Sequence, residues 1–455
     1  MSSGLSEKSD VIISASRRPE RWKRALPGDL VIAGGGIAAA ATALRLLEFG
    51  FHPLILASIR PGPGGNEAIP ERAWQLLSFL GLGPVLKAAG GAVVQGFENH
   101  WDEATPMVQP GLFLHVDRNL LAGAAISEAV KKGAVIRKCK QLPKLTADPD
   151  AVRVTVDEEE GRFKAAIDAT GRAAVWSRPL ARRGNQVAEM FVSPPDPALL
   201  RSKLVRLAKG WAYRIGLPSS ITVAILADRC ASKKCIDESV AAKLGVSTSE
   251  TKFAGRRSAC AQWCAEPVQG RRLAVGDAAL AYDPIAGQGI RFALASAFAA
   301  ASVVHSWCSR PRESEVADQY YRELVASARR RHLSFLDELY GDGYGTRSTQ
   351  PGSPAANELP SVVSFSAKVE PRGLNVDGSI LTGEAVILED GNAVRWLGGF
   401  DLLTLRELAG QPAPVSKVIN TLLSKGMSKQ QAMSLVGWCL KESVLRADSR
   451  VLGLL

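Results

Sequence analysis

The sequence is poor in the groups that build metal clusters and disulfide frameworks. Its 455 residues include seven cysteines, an odd number, and no two of them form a C-x-x-C pair. Zinc ribbons need that spacing, and small disulfide-stapled folds use even numbers of cysteines. A P-loop and a G-x-S-x-G nucleophile elbow are also absent. These absences exclude a zinc ribbon, a P-loop nucleotidase and an elbow-type hydrolase, and we expect no metal site.

The chain also lacks a long apolar run and a recognisable export signal. No uninterrupted apolar segment approaches the length of a bilayer span, and the first 28 residues are polar and basic. The formal net charge of +11 suits nucleic acid, an anionic membrane surface or acidic small molecules, but no nucleic-acid-binding motif accompanies it. We therefore expect a cytoplasmic protein with no membrane span and no nucleic-acid partner.

Length and composition indicate several folded units. Hydrophobic residues make up 46% and charged residues 22% of the chain, as in ordinary globular proteins, and 455 residues exceed the usual size of one domain. The stretch "GDGYGTRSTQPGSPAANELP" is rich in Gly, Pro and Ser and is the clearest linker. After it, a hairpin signal and two or three helices predict a small, winged-helix-like α+β module, with a capping box at Ser428 and Gln431.

A glycine-rich turn lies inside the first strand–helix–strand unit. Leu30 to Ala33 is a short apolar strand, Ile37 to Phe49 is a helical segment rich in Ala and Leu, and Leu54 to Ala57 is a second strand. The connecting Gly34-Gly35-Gly36-Ile37-Ala38-Ala39 matches G-x-G-x-x-A. In such a turn the glycines let the backbone approach a diphosphate, and the helix N-terminus offers free N–H groups. The unit predicts a dinucleotide-binding site in an α/β fold.

One group expected at such a site is missing. Dinucleotide sites usually place an acidic residue after the second strand to bind the adenosine ribose, whereas "LILASIR" has Ala57 and Ser58 there. Ser58 and Arg60 are candidate substitutes, and an ordinary loop role is equally open for each.

Three further segments occur in a fixed order along the chain. Arg118 opens a helix after a strand in "HVDRNLL", Asp168-Ala169-Thr170-Gly171 follows, and "RRLAVGDAALAYDPIAGQGI" comes last. In the last segment an apolar strand ends in Gly276-Asp277, and a loop from Asp283 runs into a helix. This order resembles the FAD-dependent monooxygenases of group A, which have the glutathione-reductase-like fold.

The resemblance implies that FAD is the cofactor and that two remote segments hold it. Asp277 would accept hydrogen bonds from the ribityl hydroxyls, Arg118 would approach the ribityl chain and diphosphate, and the loop before the last helix would face the N1/O2 edge of the flavin. The implied cofactor-binding residues are Gly34, Gly36, Ile37, Ala38, Ala39, Ser58, Arg60, Arg118, Gly276, Asp277, Asp283, Pro284, Gly287, Gln288, Gly289 and Ile290.

Two more segments narrow the resemblance to one branch. Glu67-Ala68-Ile69-Pro70 is similar to the G-E-x-x-P loop of the flavin-dependent halogenases and of the flavoproteins of tryptophylquinone biogenesis, with Asn66 in place of Gly. The strand from Gly210 to Pro218 is similar to the strand of that branch that covers the active site. Halogenases have W-x-W-x-I-P there, whereas this chain has Tyr213 for the second Trp and Gly216 for the Pro. Candidates lining the flavin pocket are Glu67, Trp211, Tyr213 and Gln288, although Trp211 and Tyr213 could equally be core aromatics; no catalytic acid or base is identified.

By this resemblance, the chain hydroxylates an aromatic substrate through a flavin C4a-hydroperoxide. The C-terminal module and the basic surface favour a protein- or peptide-bound tryptophan in quinone cofactor maturation. The alternatives are a flavin-dependent halogenase or small-aromatic hydroxylase, and a non-catalytic binding scaffold. Because no second G-x-G-x-x-G is present, NAD(P)H must bind transiently or a separate flavin reductase must supply electrons.

The domain boundaries follow from these assignments. We predict a disordered basic leader at 1–28, a discontinuous Rossmann-like FAD-binding domain at 29–182 and 255–340, an antiparallel β substrate domain at 183–254 with parts of 85–115, a linker at 341–362 and the C-terminal module at 363–455.

Overall fold

Strands and helices are mixed along the chain, and strands predominate between residues 135 and 228. The computed structural model describes residues 26–60, 64–101, 106–147, 151–228, 235–340, 359–397 and 399–448. The strands there are β1 (Leu30–Ala33), β2 (Pro53–Ser58), β3 (Asn66–Pro70), β4 (Ala92–His100), β5 (Met107–Asp117), β6 (Val135–Cys139), β7 (Lys144–Ala147), β8 (Val152–Val156), β9 (Glu159–Phe163), β10 (Ala165–Asp168), β11 (Leu180–Arg183), β12 (Gln186–Ser193), β13 (Lys203–Leu207), β14 (Gly210–Leu217), β15 (Ser220–Asp228), β16 (Lys252–Ser258), β17 (Ala261–Cys264), β18 (Val268–Gln269), β19 (Arg272–Ala274), β20 (Leu280–Ala281), β21 (Val362–Phe365), β22 (Lys368–Val376), β23 (Ser379–Ile387), β24 (Ala393–Val394), β25 (Trp396–Leu397), β26 (Phe400–Asp401), β27 (Ala413–Pro414) and β28 (Leu445–Ala447). The helices are α1 (Ile37–Glu48), α2 (Glu71–Phe79), α3 (Gly83–Ala88), α4 (Arg118–Lys131), α5 (Glu238–Leu244), α6 (Gly289–Ser309), α7 (Ser314–Tyr340), α8 (Leu403–Ala409), α9 (Val415–Ser424) and α10 (Lys429–Lys441).

The first strand lies inside a six-stranded sheet with the order β18-β19-β10-β1-β2-β6. β1 pairs in parallel with β10 on one side and with β2 on the other. All of β1 is buried, because α1 and α6 cover one face of the sheet and the β7-β8-β9 meander covers the other. The predicted strand–helix–strand unit is therefore present.

The second large sheet has eight strands in the order β16-β12-β15-β14-β13-β4-β5-β3. One face packs on α5, and the other carries Trp211 and meets the end of α7. The sheet extends beyond the predicted substrate domain, because it includes β3 and because the predicted boundary at residue 254 cuts through β16. β16 is an edge strand with exposed polar residues, so its sequence has no apolar alternation to reveal it.

The C-terminal unit combines a small sheet with three helices. β21 lies between β27 and β28, and α8, α9 and α10 pack on this sheet around their own core. The predicted capping box of α10 is present, since Ser428 Oγ accepts from the Gln431 N–H and the Gln431 side chain accepts from the Ser428 N–H.

The hairpin β22–β23 of this unit packs on the domain that contains the six-stranded sheet. Ile380 is fully buried in the main core, and its N–H donates to Ser306 Oγ of α6 at 2.8 Å. Asn375 Nδ2 donates to Ser302 Oγ at 2.9 Å. The C-terminal unit is thus anchored to α6 and α7 by side chains from its own hairpin.

Parts of the predicted leader and linker lie outside the described residues, namely 1–25 and 341–358. Leu26 belongs to the predicted leader, yet it is buried against the β7-β8-β9 meander and its N–H donates to the Glu160 carbonyl at 3.0 Å. The folded part therefore begins before Asp29, since an apolar side chain at 26 finds a place in the core.

Helix α6 is long and apolar enough by composition to cross a bilayer, although the sequence has no uninterrupted apolar run of that length. Of its most apolar 18-residue window, 72% is buried inside the protein. It packs against α1 and α7 in the main core, as a central core helix does.

Candidate functional site

The glycine turn after β1 is shaped by a close approach of two backbones. Gly34 has φ +128°, and a Cβ there would lie 2.6 Å from the carbonyl carbon of Ala169. Gly36 has ordinary extended backbone angles, and a Cβ there would meet nothing within 4 Å. No side chain caps the N-terminus of α1 and no acidic residue lies in its first turn. The turn therefore leaves open space and a positive helix end beside Gly36.

The Gly276-Asp277 turn, the second segment implied to hold the cofactor, lies directly against α1. Gly276 has φ +56°, and a Cβ there would lie 3.0 Å from the Ala38 Cβ and 3.6 Å from the Ala293 Cβ. The Gly276 N–H donates to Ser296 Oγ of α6 at 2.9 Å. The segments around residues 36 and 277 thus converge, although 240 residues separate them in sequence.

Asp168 organises the turn from Asp168 to Gly171, which approaches Gly34. Its carboxylate is fully buried and accepts hydrogen bonds from the Thr170 N–H and hydroxyl at 3.1 and 2.6 Å. It also accepts from the Trp176 N–H at 2.7 Å and the Ser177 hydroxyl at 2.8 Å. Four donors satisfy the carboxylate, so it holds the Asp-Ala-Thr-Gly turn against Gly34.

The loop that enters α6 has the second free helix end. Gly287 is in the left-handed region with φ +59°, and Cβ atoms at Gly287 and Gly289 would meet nothing within 4 Å. No side chain caps α6 and no acidic residue lies in its first turn. Gln288 accepts a hydrogen bond from Arg291 at 3.0 Å through its side-chain oxygen.

Asp283, which starts this loop, turns its carboxylate into the protein. One oxygen accepts from the Ile285 N–H at 3.0 Å and the other from the Tyr340 hydroxyl at 3.3 Å. Burial raises the pKa of Asp283 to about 6. The side chain therefore shapes the turn at Pro284, whereas we expected it among the cofactor-binding groups.

A buried hydrogen-bonded chain joins this loop to the eight-stranded sheet. Trp211 Nε1 donates to the Tyr340 hydroxyl at 3.1 Å, and the Asp283 N–H donates to His332 Nε2 at 2.9 Å. Burial, followed by Arg183 and Arg172, lowers the pKa of His332 to about 4. A neutral His332 is required here, because its Nε2 must accept a hydrogen bond.

Charged side chains lie near the two glycine-containing turns, at Gly34–Gly36 and at Gly276–Asp277. Arg118 Nη1 lies 3.2 Å from Glu67 Oε1, and Arg172 Nε lies 3.9 Å from Asp277 Oδ2. Glu67, and then Asp277, raise the pKa of Arg118. The predicted Glu67, Arg118 and Asp277 therefore share one site. Arg172 also donates to the carbonyls of Cys260 and Tyr282 at 2.7 and 2.6 Å.

Tyr213 and Trp211 lie on the same face of β14, with ring centroids 5.6 Å apart. Burial, followed by the charge of Glu67, raises the pKa of the Tyr213 phenol to about 12, so the phenol keeps its proton at neutral pH. Trp211 is buried in the packing of this face, with the end of α7 beside it. Trp211 is therefore a packed core aromatic with a hydrogen-bonding role, and Tyr213 lies next to the charged cluster.

Sequence reasoning missed one residue of this site, Arg257 on β16. Its guanidinium interacts electrostatically with Arg118, Tyr213 and Glu67. The register places it opposite Ala188, which is paired through Leu226 with Trp211, so it shares their face. The sequence signal is slight, because Arg256 and Arg257 are adjacent and only the register distinguishes them.

The candidate ribose-binding residues lie at the exposed end of β2. Ser58 and Arg60 are both exposed, and the Arg60 N–H donates to Ser58 Oγ at 3.0 Å. The side chain of Ala57 packs beside Gly35, where a Cβ would lie 3.2 Å from the Ala57 Cβ. The roles of Ser58 and Arg60 in binding a ribose remain predictions. Among the described residues, no cluster of His, Cys, Asp or Glu has metal-binding geometry.

These features fit an extended diphosphate-containing cofactor. Open space adjoins Gly36, Gly287 and Gly289, and the N-terminal turns of α1 and α6, whose N-termini have no side-chain cap, both approach Gly276 through Ala38 and Ala293. Anionic phosphates suit such helix ends and Arg118. The carboxylate of Asp277, which is about a quarter exposed, can accept hydrogen bonds from hydroxyls.

Comparisons with known proteins agree with this geometry. No protein-family model matches the chain. It is 26% identical over 306 residues to the putative FAD-dependent oxidoreductase LodB of Marinomonas mediterranea, which covers 59% of this chain and 82% of that protein. It superposes on QhpG, a peptidyl tryptophan dihydroxylase essential for tryptophylquinone cofactor biogenesis, with a TM-score of 0.67 and 23% identity over 92% of this chain and 99% of that one. The flavin-dependent halogenase CmlS superposes with a TM-score of 0.71 and 16% identity over 93% and 96%.

The chain thus has the fold of flavin-dependent hydroxylases and halogenases, and the predicted fold class is confirmed. Both superpositions cover more than nine-tenths of this chain, so the shared fold includes the C-terminal unit.

Proposed function

We propose that this chain is an FAD-dependent monooxygenase that hydroxylates an aromatic group. The observation that carries the proposal is the close approach of Gly276 to Ala38, where an added Cβ on Gly276 would lie 3.0 Å from the Ala38 Cβ; it brings the glycine turn and the Gly-Asp turn to one place beside open space. Two turns that are far apart in sequence and meet in this way suit the binding of one long dinucleotide. The similarity to an FAD-dependent oxidoreductase over three hundred residues agrees with it.

Each part of the site has a role that follows from its chemistry. The free N–H groups of α1 would bind the diphosphate, and Asp277 would hold the ribityl hydroxyls. The N-terminus of α6 would favour negative charge on the reduced ring system, through its dipole. When bound and reduced, FAD supplies the reactivity toward oxygen and the transfer of one oxygen atom.

The eight-stranded sheet would bound the substrate side of the site. Its face places Tyr213 next to Glu67 and Arg118, and Trp211, in the core beside Tyr213, is joined through Tyr340 to the loop that enters α6. These contacts would hold Tyr213 and the cofactor loop in one arrangement, which would exclude water and orient an aromatic ring. Tyr213, protonated at neutral pH, can donate a hydrogen bond to a group in the site.

We further propose that the substrate is a tryptophan within a polypeptide, hydroxylated during quinone cofactor maturation. The support is the likeness to QhpG over almost the full length of both chains, together with the net charge of +11 and the anchored C-terminal unit. Electrons would come from NAD(P)H that binds transiently or from a separate flavin reductase.

The test uses the purified chain loaded with FAD, a reductant and the precursor polypeptide. Mass analysis is expected to show added oxygen on a Trp residue, dependent on both FAD and oxygen. A chain that takes up no FAD would contradict the proposal of an FAD-dependent enzyme. A chain that modifies only free small aromatics would contradict the proposed polypeptide substrate. The absorption spectrum with added FAD separates these two outcomes.

Halogenation is the second candidate, because CmlS shares the fold over 93% of this chain. Tyr213 and Gly216 replace the Trp and Pro that the halogenase motif has in this strand. The same assay with chloride and bromide is expected to give no halogenated product.

A further inference from the structure

Arg257 is a cation without a partner in the described part of the chain. No hydrogen bond or ion pair within 4 Å involves its guanidinium there, and its Nε is inaccessible to solvent. Other arginines with a buried unpaired Nε use their remaining nitrogens, as Arg45 does with Glu48, Arg214 with the Leu244 carbonyl, and Arg395 with Asp401. Arg257 therefore differs from them in having no acceptor among the described residues.

The charges around Arg257 do not balance it. The carboxylate whose charge acts on Arg257 is that of Glu67, and it is paired with Arg118 at 3.2 Å. Two arginines therefore share this one carboxylate, with Arg257 in excess. Burial and then the charge of Arg118 lower the pKa of Arg257, and the charge of Glu67, which acts in the opposite direction, offsets this only in part. A half-buried cation is costly unless an acceptor pairs with it.

The position of Arg257 indicates where the missing acceptor would lie. It is on the same sheet face as Trp211 and Tyr213, and its Nη2 lies 3.3 Å from the point a Cβ on Gly65 would occupy. The guanidinium therefore lies beside the start of β3, the strand that carries Glu67, and near Tyr213 of the proposed substrate site. A planar guanidinium is suited to bind a carboxylate through two hydrogen bonds.

We propose that Arg257 anchors a carboxylate of the aromatic substrate. This rests on the proposed function, since the aromatic group must bind beside Tyr213. The carboxylate is either the terminal one of a free aromatic acid or the side chain of an acidic residue next to the target aromatic in a polypeptide.

Ligand titrations of the FAD-loaded chain test the anchor. The probes are indole-3-propionate and its neutral amide, followed through changes in the visible flavin spectrum. The wild-type chain is expected to prefer the carboxylate by about 10- to 150-fold, as one charge-assisted hydrogen-bonded pair gives. Arg257→Met should abolish that preference, and Arg257→Lys should keep part of it.

Arg256→Met is the matched control, because Arg256 is the neighbouring residue on β16 and pairs with Glu189 at 3.0 Å on the other face. It is expected to keep the preference. Two synthetic peptides, with Asp-Trp or Asn-Trp, then distinguish the sources: selective binding of the Asp peptide assigns the acidic residue, and binding of the free acid alone assigns the terminal carboxylate.

Three results would overturn the anchor: no preference in the wild-type chain, a preference that survives in Arg257→Met, or a loss of FAD affinity in that variant as large as the loss of ligand affinity. The last result would assign Arg257 to the cofactor. Failure of the wild-type chain to take up FAD would contradict the proposed function instead.

Discussion

Substituting alanine at the two outer glycines of the first turn separates folding from cofactor binding. In the folded chain without cofactor, Gly36→Ala places a methyl group in open space with permitted backbone angles. Its cost to stability should be small, up to about 1 kcal/mol from the less favourable helix N-cap. The same methyl group would point into the space proposed for the diphosphate.

The contrasting variant is Gly34→Ala. Its Cβ would overlap the backbone of Ala169, 2.6 Å from the carbonyl carbon, in a chain conformation with φ +128° that L residues avoid. Overpacking costs about 1–3 kcal/mol, and the left-handed conformation adds about 1–2 kcal/mol. This variant should unfold several degrees below the wild-type chain even without FAD.

The assay is thermal unfolding of the cofactor-free chain beside titration with FAD, followed by quenching of flavin fluorescence. Gly36→Ala should keep the wild-type midpoint within about 2 °C and lose about 5- to 150-fold in FAD affinity, the equivalent of a 1–3 kcal/mol clash. If Gly36→Ala binds FAD as the wild type does, the diphosphate does not lie at this turn and the reasoning from the open space is wrong.

Three other changes test the packing around the site. Burial raises the pKa of Asp283 to about 6, so its ionisation lowers the free energy of unfolding as pH rises from about 4 through 6, by up to about 3 kcal/mol. Asp283→Asn should reduce this pH dependence, measured as unfolding midpoints from pH 4 to 7. An equal pH dependence in both chains would refute the role of Asp283. Tyr340→Phe removes the hydroxyl that joins Trp211 to Asp283 and should cost about 1–3 kcal/mol in denaturant unfolding, whereas a neutral effect would show that the link is not stabilising. Ile380→Ala should destabilise the main core by about 2–5 kcal/mol, and a midpoint unchanged for the FAD-type domain would show that the C-terminal hairpin folds independently of it.

Much of the cofactor side of this site could be predicted from the sequence, because its signals are local. Gly34 and Gly276 stand where the backbone must adopt positive φ, and Asp277 follows an apolar strand directly. Such conformational requirements are met by few residue types, so they leave a legible pattern. The strand, turn and helix around them follow from short-range periodicity.

The other features of the site depended on contacts between segments that are distant in sequence. The period-2 pattern of a strand does not say which face meets the cofactor, so Arg257 and Arg256 were indistinguishable until the register of β16 with β12 placed them on opposite sides. The inward turn of Asp283 required Tyr340, 57 residues away. The sequence alone thus determined the fold class and the two turns proposed to hold the cofactor, because these rest on local backbone chemistry. The tertiary structure decided which charges share the site and which of them has no partner among the described residues, because ion pairs form between whatever side chains packing brings within a few ångströms.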